Sequence, residues 1–258
     1  QDPPFTLTLA HMNDTHSQFD PVNAELKGAL FGNQGEIDTL YTRLGGYPRL
    51  LTMTKAYQAE ALAKNQPLLL LHGGDAWQGS GYFKLNEGMA NAELLSQFGL
   101  DAMALGNHEF DLDNQKLARF IQGVNFPVLA ANLDSRDDPD LSRASNLKPF
   151  VIYAFDGNQK SPVTDLDHLP ADKQLVAVIG LVLEDMANIS PNVGKLRFAK
   201  EVASAQATVD LLQARGIQRI VALTHIGNAR DLALAAKVNG LDAIVGGHSH
   251  SLLGDFRN

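Results

Sequence analysis

Ala102-Met103-Ala104-Leu105-Gly106-Asn107-His108-Glu109-Phe110-Asp111 reads as a short buried strand running into a turn that carries chemistry. Four apolar residues make the strand, and Gly106 lets the backbone turn. An Asn, a His and an Asp then crowd into five residues. A hydrophobic core has no use for that grouping. A site that holds a metal beside a proton-handling pair has. His108 and Asp111 are three apart, neighbours on a helical turn, so the carboxylate can accept from one ring nitrogen and orient the other.

Four further segments repeat the arrangement. Phe5 to His11 alternates like a half-buried strand and leads into Asn13-Asp14-Thr15-His16. Leu68 to Leu71 is a run of leucines ending in Gly73-Gly74-Asp75. Arg219 to Leu223 delivers Thr224-His225, and Asp242 to Val245 delivers Gly246-Gly247-His248-Ser249-His250. Strands of this kind alternate with helical patterns over 44–64, 87–98, 114–122, 200–215 and 229–238, which predicts an α/β fold. Leu50, Leu51, Met53, Thr54, Tyr57 and Leu62 are the expected core contacts of the first helix. Val176 to Leu183 is a further buried strand. Residues 20–42, 134–149 and 156–173 read as loops or excursions. In α/β folds ligands bind outside the carboxyl ends of strands, so all five segments can converge on one crevice. In extended backbone, residues i and i+2 point the same way. Asp14/His16 and His248/His250 are therefore expected to act as pincers, with Thr15 and Ser249 facing away.

Composition narrows the chemistry. The 258 residues suit one large domain or two small ones. The net charge of −8 disfavours a nucleic-acid polymer or an anionic membrane as partner. With no cysteine, thiolate metal sites, disulfides and a thiol nucleophile are excluded. No apolar run is long enough for a transmembrane segment. Gly-x-Ser-x-Gly, P-loop and Gly-x-Gly-x-x-Gly signatures do not occur. Oxygen and imidazole ligands without sulfur suit Mn, Zn, Mg, Co or Fe. A carboxylate such as Asp75 can bridge two ions, and two divalent ions about 3.5–4 Å apart can clamp an in-line phosphoryl displacement.

Asp14-Thr-His16, Gly74-Asp75, Gly106-Asn-His-Glu109, His225 and Gly247-His-Ser-His250 resemble, in order, the signature of the calcineurin-like metallophosphoesterases. Within that family the chain is most similar to the catalytic N-terminal domain of bacterial 5′-nucleotidases and UDP-sugar hydrolases, from Leu7 to His250. The resemblance implies a four-layer α/β/β/α sandwich and two divalent metal ions. One ion would be held by Asp14, His16, Asp75 and His250, the other by Asp75, Asn107, His225 and His248. A metal-bound hydroxide would attack phosphorus, and His108, oriented by Asp111, would stabilise the transferring group or the leaving oxygen. The implied activity is 5′-nucleotidase, releasing phosphate from a nucleoside monophosphate. Near alternatives are a 2′,3′-cyclic nucleotide phosphodiesterase/3′-nucleotidase and a UDP-sugar hydrolase; a catalytically inactive, metal-stabilised binding domain is the alternative of another class. The resemblance also implies a periplasmic or extracellular location, with membrane anchoring of the full-length protein one option. Residues 1–258 then read as a catalytic domain truncated at Asn258, short of the C-terminal domain that binds the nucleoside.

Other polar residues are expected to be structural. His11 and His72 read as core or supporting residues and His168 as solvated. Asp20, Asp101, Asp113 and Asp242 read as caps or turns. Glu109 reads as a buried partner of a cation or of the backbone. Trp77 could wall the site or pack, Asn132 could reach the cleft or serve a turn, and Arg43 reads as surface charge rather than a phosphate contact.

Overall fold

The computed structural model describes residues 5–28 and 38–254. The opening Gln1-Asp2-Pro3-Pro4 and the last four residues lie outside them, as does the middle of the segment read as a loop over 20–42. In the first half of the chain, β1 (Thr8–Met12) leads to a hairpin of β2 (Val22–Gly28) and β3 (Asp38–Leu44). Helix α1 (Tyr47–Lys64), β4 (Leu68–His72), α2 (Gly81–Asn86), α3 (Met89–Leu95) and β5 (Ala102–Ala104) follow. Then come α4 (Asn114–Gly123), β6 (Val128–Leu129), β7 (Leu133–Asp134) and β8 (Leu147–Lys148). The second half runs β9 (Phe150–Asp156), β10 (Gln159–Val163), β11 (Gln174–Val182), α5 (Met186–Ile189), β12 (Arg197–Phe198), α6 (Glu201–Ala214), β13 (Ile220–His225), α7 (Asn228–Lys237) and β14 (Ala243–Val245).

Two five-stranded sheets carry the fold. The first has the order β1-β4-β5-β6-β8 and is parallel throughout. The second has the order β10-β9-β11-β13-β14, with β11, β13 and β14 parallel and the β9–β10 hairpin antiparallel. Period-two alternation explains the layering. Leu69, Leu71, Ala102, Ala104 and Leu129 of the first sheet pack against Val151, Tyr153, Val176, Val178, Val221 and Leu223 of the second. The intervening residues, among them Leu68, Leu70, Met103, Ala177, Ile179 and Ile220, point the other way into a core shared with helical residues such as Leu95, Leu117, Phe120 and Leu212. Both faces of both sheets are therefore covered, as the four-layer α/β/β/α sandwich requires. The leucine run of β4 is buried at every position for this reason, each side chain contributing about 1.5–3 kcal/mol of transfer free energy.

The sheets touch backbone to backbone at Gly180. The Ala131 N–H donates to its carbonyl at 2.7 Å and its own N–H donates to Pro149 O at 3.1 Å. A Cβ there would sit 2.3 Å from Leu129, so only glycine allows the approach.

Several sequence expectations change. The loop expected over 20–42 contains β2 and β3, paired antiparallel from Val22↔Leu44 to Gly28↔Asp38. The first helix begins at Tyr47 rather than Leu44, because Gly45 and Gly46 adopt positive φ and break the chain there. Its buried residues are Tyr47, Thr54 and Ala61, spaced by seven. Leu50 and Leu51 are half-buried, whereas Met53, Tyr57 and Leu62 are exposed. The helix expected over 87–98 is the shorter α3, and α2 precedes it in a stretch read as loop; Glu87 and Gly88, both with positive φ, separate the two. Short strands β8 and β10 lie in the stretches read as loops or excursions, and β7 ends at the start of the first of these.

Candidate metal centre

β1, β4 and β5 are parallel neighbours in one sheet, and β13 and β14 in the other. Their carboxyl ends open on one crevice, which receives the residues that follow each strand. Asp14, His16 and His250 form one group and Asp75, His225 and His248 a second; within each, the candidate ligand atoms lie within 4.8 Å of one another. His250 Nε2 is 3.1 Å from Asp14 Oδ1, and His225 Nε2 is 3.0 Å from Asp75 Oδ2. His16 Nε2 lies 3.9 Å from both carboxylates, between the groups. Asn107 Oδ1 is 3.2 Å from His225 Nε2 and 2.9 Å from His248 Nδ1. All seven residues expected to ligate metal are thus brought together.

The route differs from the expected pincers. Asp14, His16, Asp75, His248 and His250 all have positive φ. The backbone here is left-handed turn, not extended strand, a strained conformation for non-glycine residues. Thr15 does face away: its hydroxyl is 3.0 Å from both Tyr47 Oη and His72 Nε2. Ser249 Oγ accepts from the Asn228 N–H.

Backbone carbonyls set the imidazole tautomers. His225 Nδ1 is 2.6 Å from Gly73 O, and His16 Nδ1 is 3.0 Å from Trp77 O. A carbonyl only accepts, so each Nδ1 carries the proton and each Nε2 turns toward the carboxylates. In neutral rings these are lone pairs facing anionic oxygen. Something positive has to lie between. Burial alone would lower the pKa of His225, but the Asp75 hydrogen bond and charge outweigh it and raise it to about 9. A divalent cation meets the same need with better geometry for a cluster of two carboxylates, an amide oxygen and four imidazoles, a donor set of oxygen and nitrogen that suits first-row divalent metals. The residues fit the ions.

Beside the clusters, His108 Nδ1 is 2.8 Å from Asp111 Oδ2, a hydrogen bond that raises the His108 pKa against its partial burial. The His108 backbone N–H donates to Asp75 Oδ1 at 2.9 Å, and its ring meets that of His16 edge-on at 5.3 Å between centroids. Gly106 permits this crowding, since a Cβ there would lie 2.1 Å from Asp75 Oδ1.

Glu109 is fully buried and turned away from the crevice chemistry. Its carboxylate accepts from the backbone N–H groups of Gly106, Asp75, Ala76 and Trp77 at 2.6–3.1 Å. Burial, then the charge of Asp75, pushes it up to about 7. His72 is also fully buried; its Nδ1 accepts from Gly74 N, and burial lowers its pKa to about 3, so it bridges Thr15 and Gly74 as a neutral ring. His11, expected in the core or as support, is exposed on β1, the edge strand of its sheet. His168 is exposed, paired with Asp165. Asp113 caps α4 through the Lys116 N–H, Asp242 accepts from Ile220 N, and Asp101 accepts from Leu70 N and Lys160 Nζ. Asp20 accepts from the Tyr82 hydroxyl. Trp77 packs in the core against Phe83 and Phe120. Asn132 is buried and ties Val182 and Ala199 together, and Arg43 is exposed on β3. Gly73 O and Trp77 O, which fix the two tautomers, escape sequence reasoning because a carbonyl leaves no trace in residue type.

Residues 7–252 match the family described as calcineurin-like phosphoesterase. A 5′-nucleotidase of Diplobatis ommata is 32% identical over 97% of this chain and 38% of its own length. The NAD 5′-nucleotidase of Haemophilus influenzae is 32% identical over 96% of this chain and 37% of its own. The crystal structure of a 5′-nucleotidase precursor from Thermus thermophilus superposes with a TM-score of 0.80 at 36% identity, covering 98% of this chain and 43% of that one. Fold and site define a metallophosphoesterase. The chain belongs to the calcineurin-like phosphoesterase family, which uses pairs of divalent metal ions. It spans about 40% of the length of the curated relatives it matches. No helix among the described residues is long and apolar enough to cross a membrane.

Proposed function

We propose that this chain is the catalytic domain of a 5′-nucleotidase and hydrolyses phosphate monoesters at the crevice. The observation that carries the reading is the pair of adjoining Asp–His groups with Asp75 within reach of both. Asp14, His16, Asp75 and His250 would hold one ion, and Asp75, Asn107, His225 and His248 the other. When bound, the ions supply positive charge for the phosphoryl oxygens and lower the pKa of an attacking water. Two divalent ions set against Asp14 and Asp75 leave the crevice at about +2, attractive to a phosphate dianion despite the acidic chain.

The rest falls to the protein. Asp111 accepts from His108 Nδ1 and favours the charged ring, leaving the other ring nitrogen, Nε2, to donate to the transferring phosphoryl group or the leaving oxygen. The Asp75–His108 backbone hydrogen bond ties that donor to the ligand set. Base and sugar are selected by a further part of the polypeptide, a reading supported by the greater length of the relatives, and the activity is exercised outside the cytoplasm, a reading supported by the relative described as a precursor.

The test is hydrolysis of a generic aryl phosphate and of AMP by the Mn²⁺-loaded protein. Aryl phosphate turnover that EDTA removes and Mn²⁺ restores is expected, with AMP the poorer substrate of this chain than of a full-length relative. Two bound ions without hydrolysis of either compound would sink the enzymatic reading.

A further inference from the structure

The 3₁₀ turn His108–Phe110 ends without a helix to continue it, so the carbonyls at its end need donors from elsewhere. They find them in the opposite half of the molecule. After β11, the chain passes α5 and makes a second short turn at Pro191–Val193. From it, Asn192 Nδ2 donates to Asp111 O at 2.9 Å and to Phe110 O at 3.3 Å. Ser190 Oγ donates to Phe110 O at 2.8 Å and accepts from Asn192 N. Both neighbours of the Asn192 amide are carbonyls, which fixes its NH₂ toward the turn. On the other side, Asn114 Nδ2 donates to Val193 O at 3.1 Å, closing the clamp against α4.

From this geometry we infer that Asn192 is a positioning residue for the His108–Asp111 pair. The inference rests on the proposed role of His108. The pair is held at its amino end by Asp75 Oδ1 and at its carboxyl end by Asn192. Between these points the Asp111 side chain meets His108 Nδ1. Without the amide, Asp111 O loses its tether to the opposite half of the molecule, Ser190 holds only the preceding carbonyl of Phe110, and the carboxylate that orients His108 can drift. Asn192 is exposed, so its replacement removes the tether without opening the core. A displacement near 1 Å at a reacting group is enough to slow chemistry severely.

The experiment compares wild type, Asn192→Ala, His108→Ala and the double variant, all Mn²⁺-loaded, with the aryl phosphate as substrate. Asn192→Ala is expected to lower kcat about tenfold at unchanged KM, unchanged metal content and little changed thermal midpoint. In the His108→Ala background the same substitution is expected to do nothing further, since its effect passes through that ring. Asn192→Asp, isosteric but without the donor, is expected to match Asn192→Ala. In the metal-free protein, ¹³C relaxation of the His108 ring should report greater mobility in both Asn192 variants. An unchanged kcat and ring mobility in the Asn192 variants, or an equal loss in the His108→Ala background, overturns the inference. Should His108→Ala retain full activity with both ions bound, the role proposed for His108 fails, and the inference with it.

Discussion

Asp75→Asn is expected to abolish most phosphatase activity while leaving the fold intact. The side chain is nearly fully buried, and the amide is isosteric with the carboxylate. It keeps one oxygen for the His108 N–H. What it loses is the second anionic oxygen, 3.0 Å from His225 Nε2 and 3.9 Å from His16 Nε2, the atom placed between the two groups. Loss of a mere supporting partner of a ligand costs 10–100-fold in metal affinity or activity. Removal of a shared ligand should exceed the upper end, a fall in kcat/KM of more than about 100-fold. The His225 pKa should also fall, because burial is then opposed only by the Gly73 carbonyl and the more distant Asp14. Aryl phosphate hydrolysis with saturating Mn²⁺ measures the first effect. Activity within tenfold of wild type would mean that Asp75 is not a shared ligand.

Glu109→Ala is expected to act on stability instead. Four backbone N–H groups, of Gly106, Asp75, Ala76 and Trp77, converge on one carboxylate in a place closed to solvent. Each buried donor left without an acceptor costs about 1–3 kcal/mol. Water entering the space answers some of them, so the net loss is expected near 4 kcal/mol. The three consecutive residues 75–77 are those that place Asp75 and the carbonyl of Trp77, which holds His16. The variant should therefore lose metal binding along with stability. Urea unfolding of the metal-free protein separates the two. A loss below about 1 kcal/mol would show that the N–H groups have other acceptors, since that is the value of a single ordinary hydrogen bond.

Much of this was legible in the sequence, and the limits have physical causes. Leu68 to Leu71 could hardly be anything but a strand buried on both faces, and the ligand-type residues after five strands announced one crevice. The β2–β3 hairpin was not legible. Its apolar face, Val22, Leu26, Leu40 and Leu44, is exposed rather than packed, so there is no buried stripe for a periodicity argument to find. Met53, Tyr57 and Leu62 misled for the converse reason, being apolar residues on the outer side of α1. At the site, the residue types were informative and the backbone was not. Asp14, His16, His248 and His250 reach the crevice through left-handed turns, which no rule of alternation describes. Asn192, on a surface turn about eighty residues from Asp111, carried no motif at all.

The central claim is that two divalent ions sit side by side at the strand ends. Elemental analysis of the purified protein, loaded with Mn²⁺ or Zn²⁺ and freed of excess, tests it most directly. Two ions per chain in wild type, falling in Asp75→Asn, is the predicted result. No more than one ion per chain at saturation, or two ions held as tightly after the substitution, would contradict it.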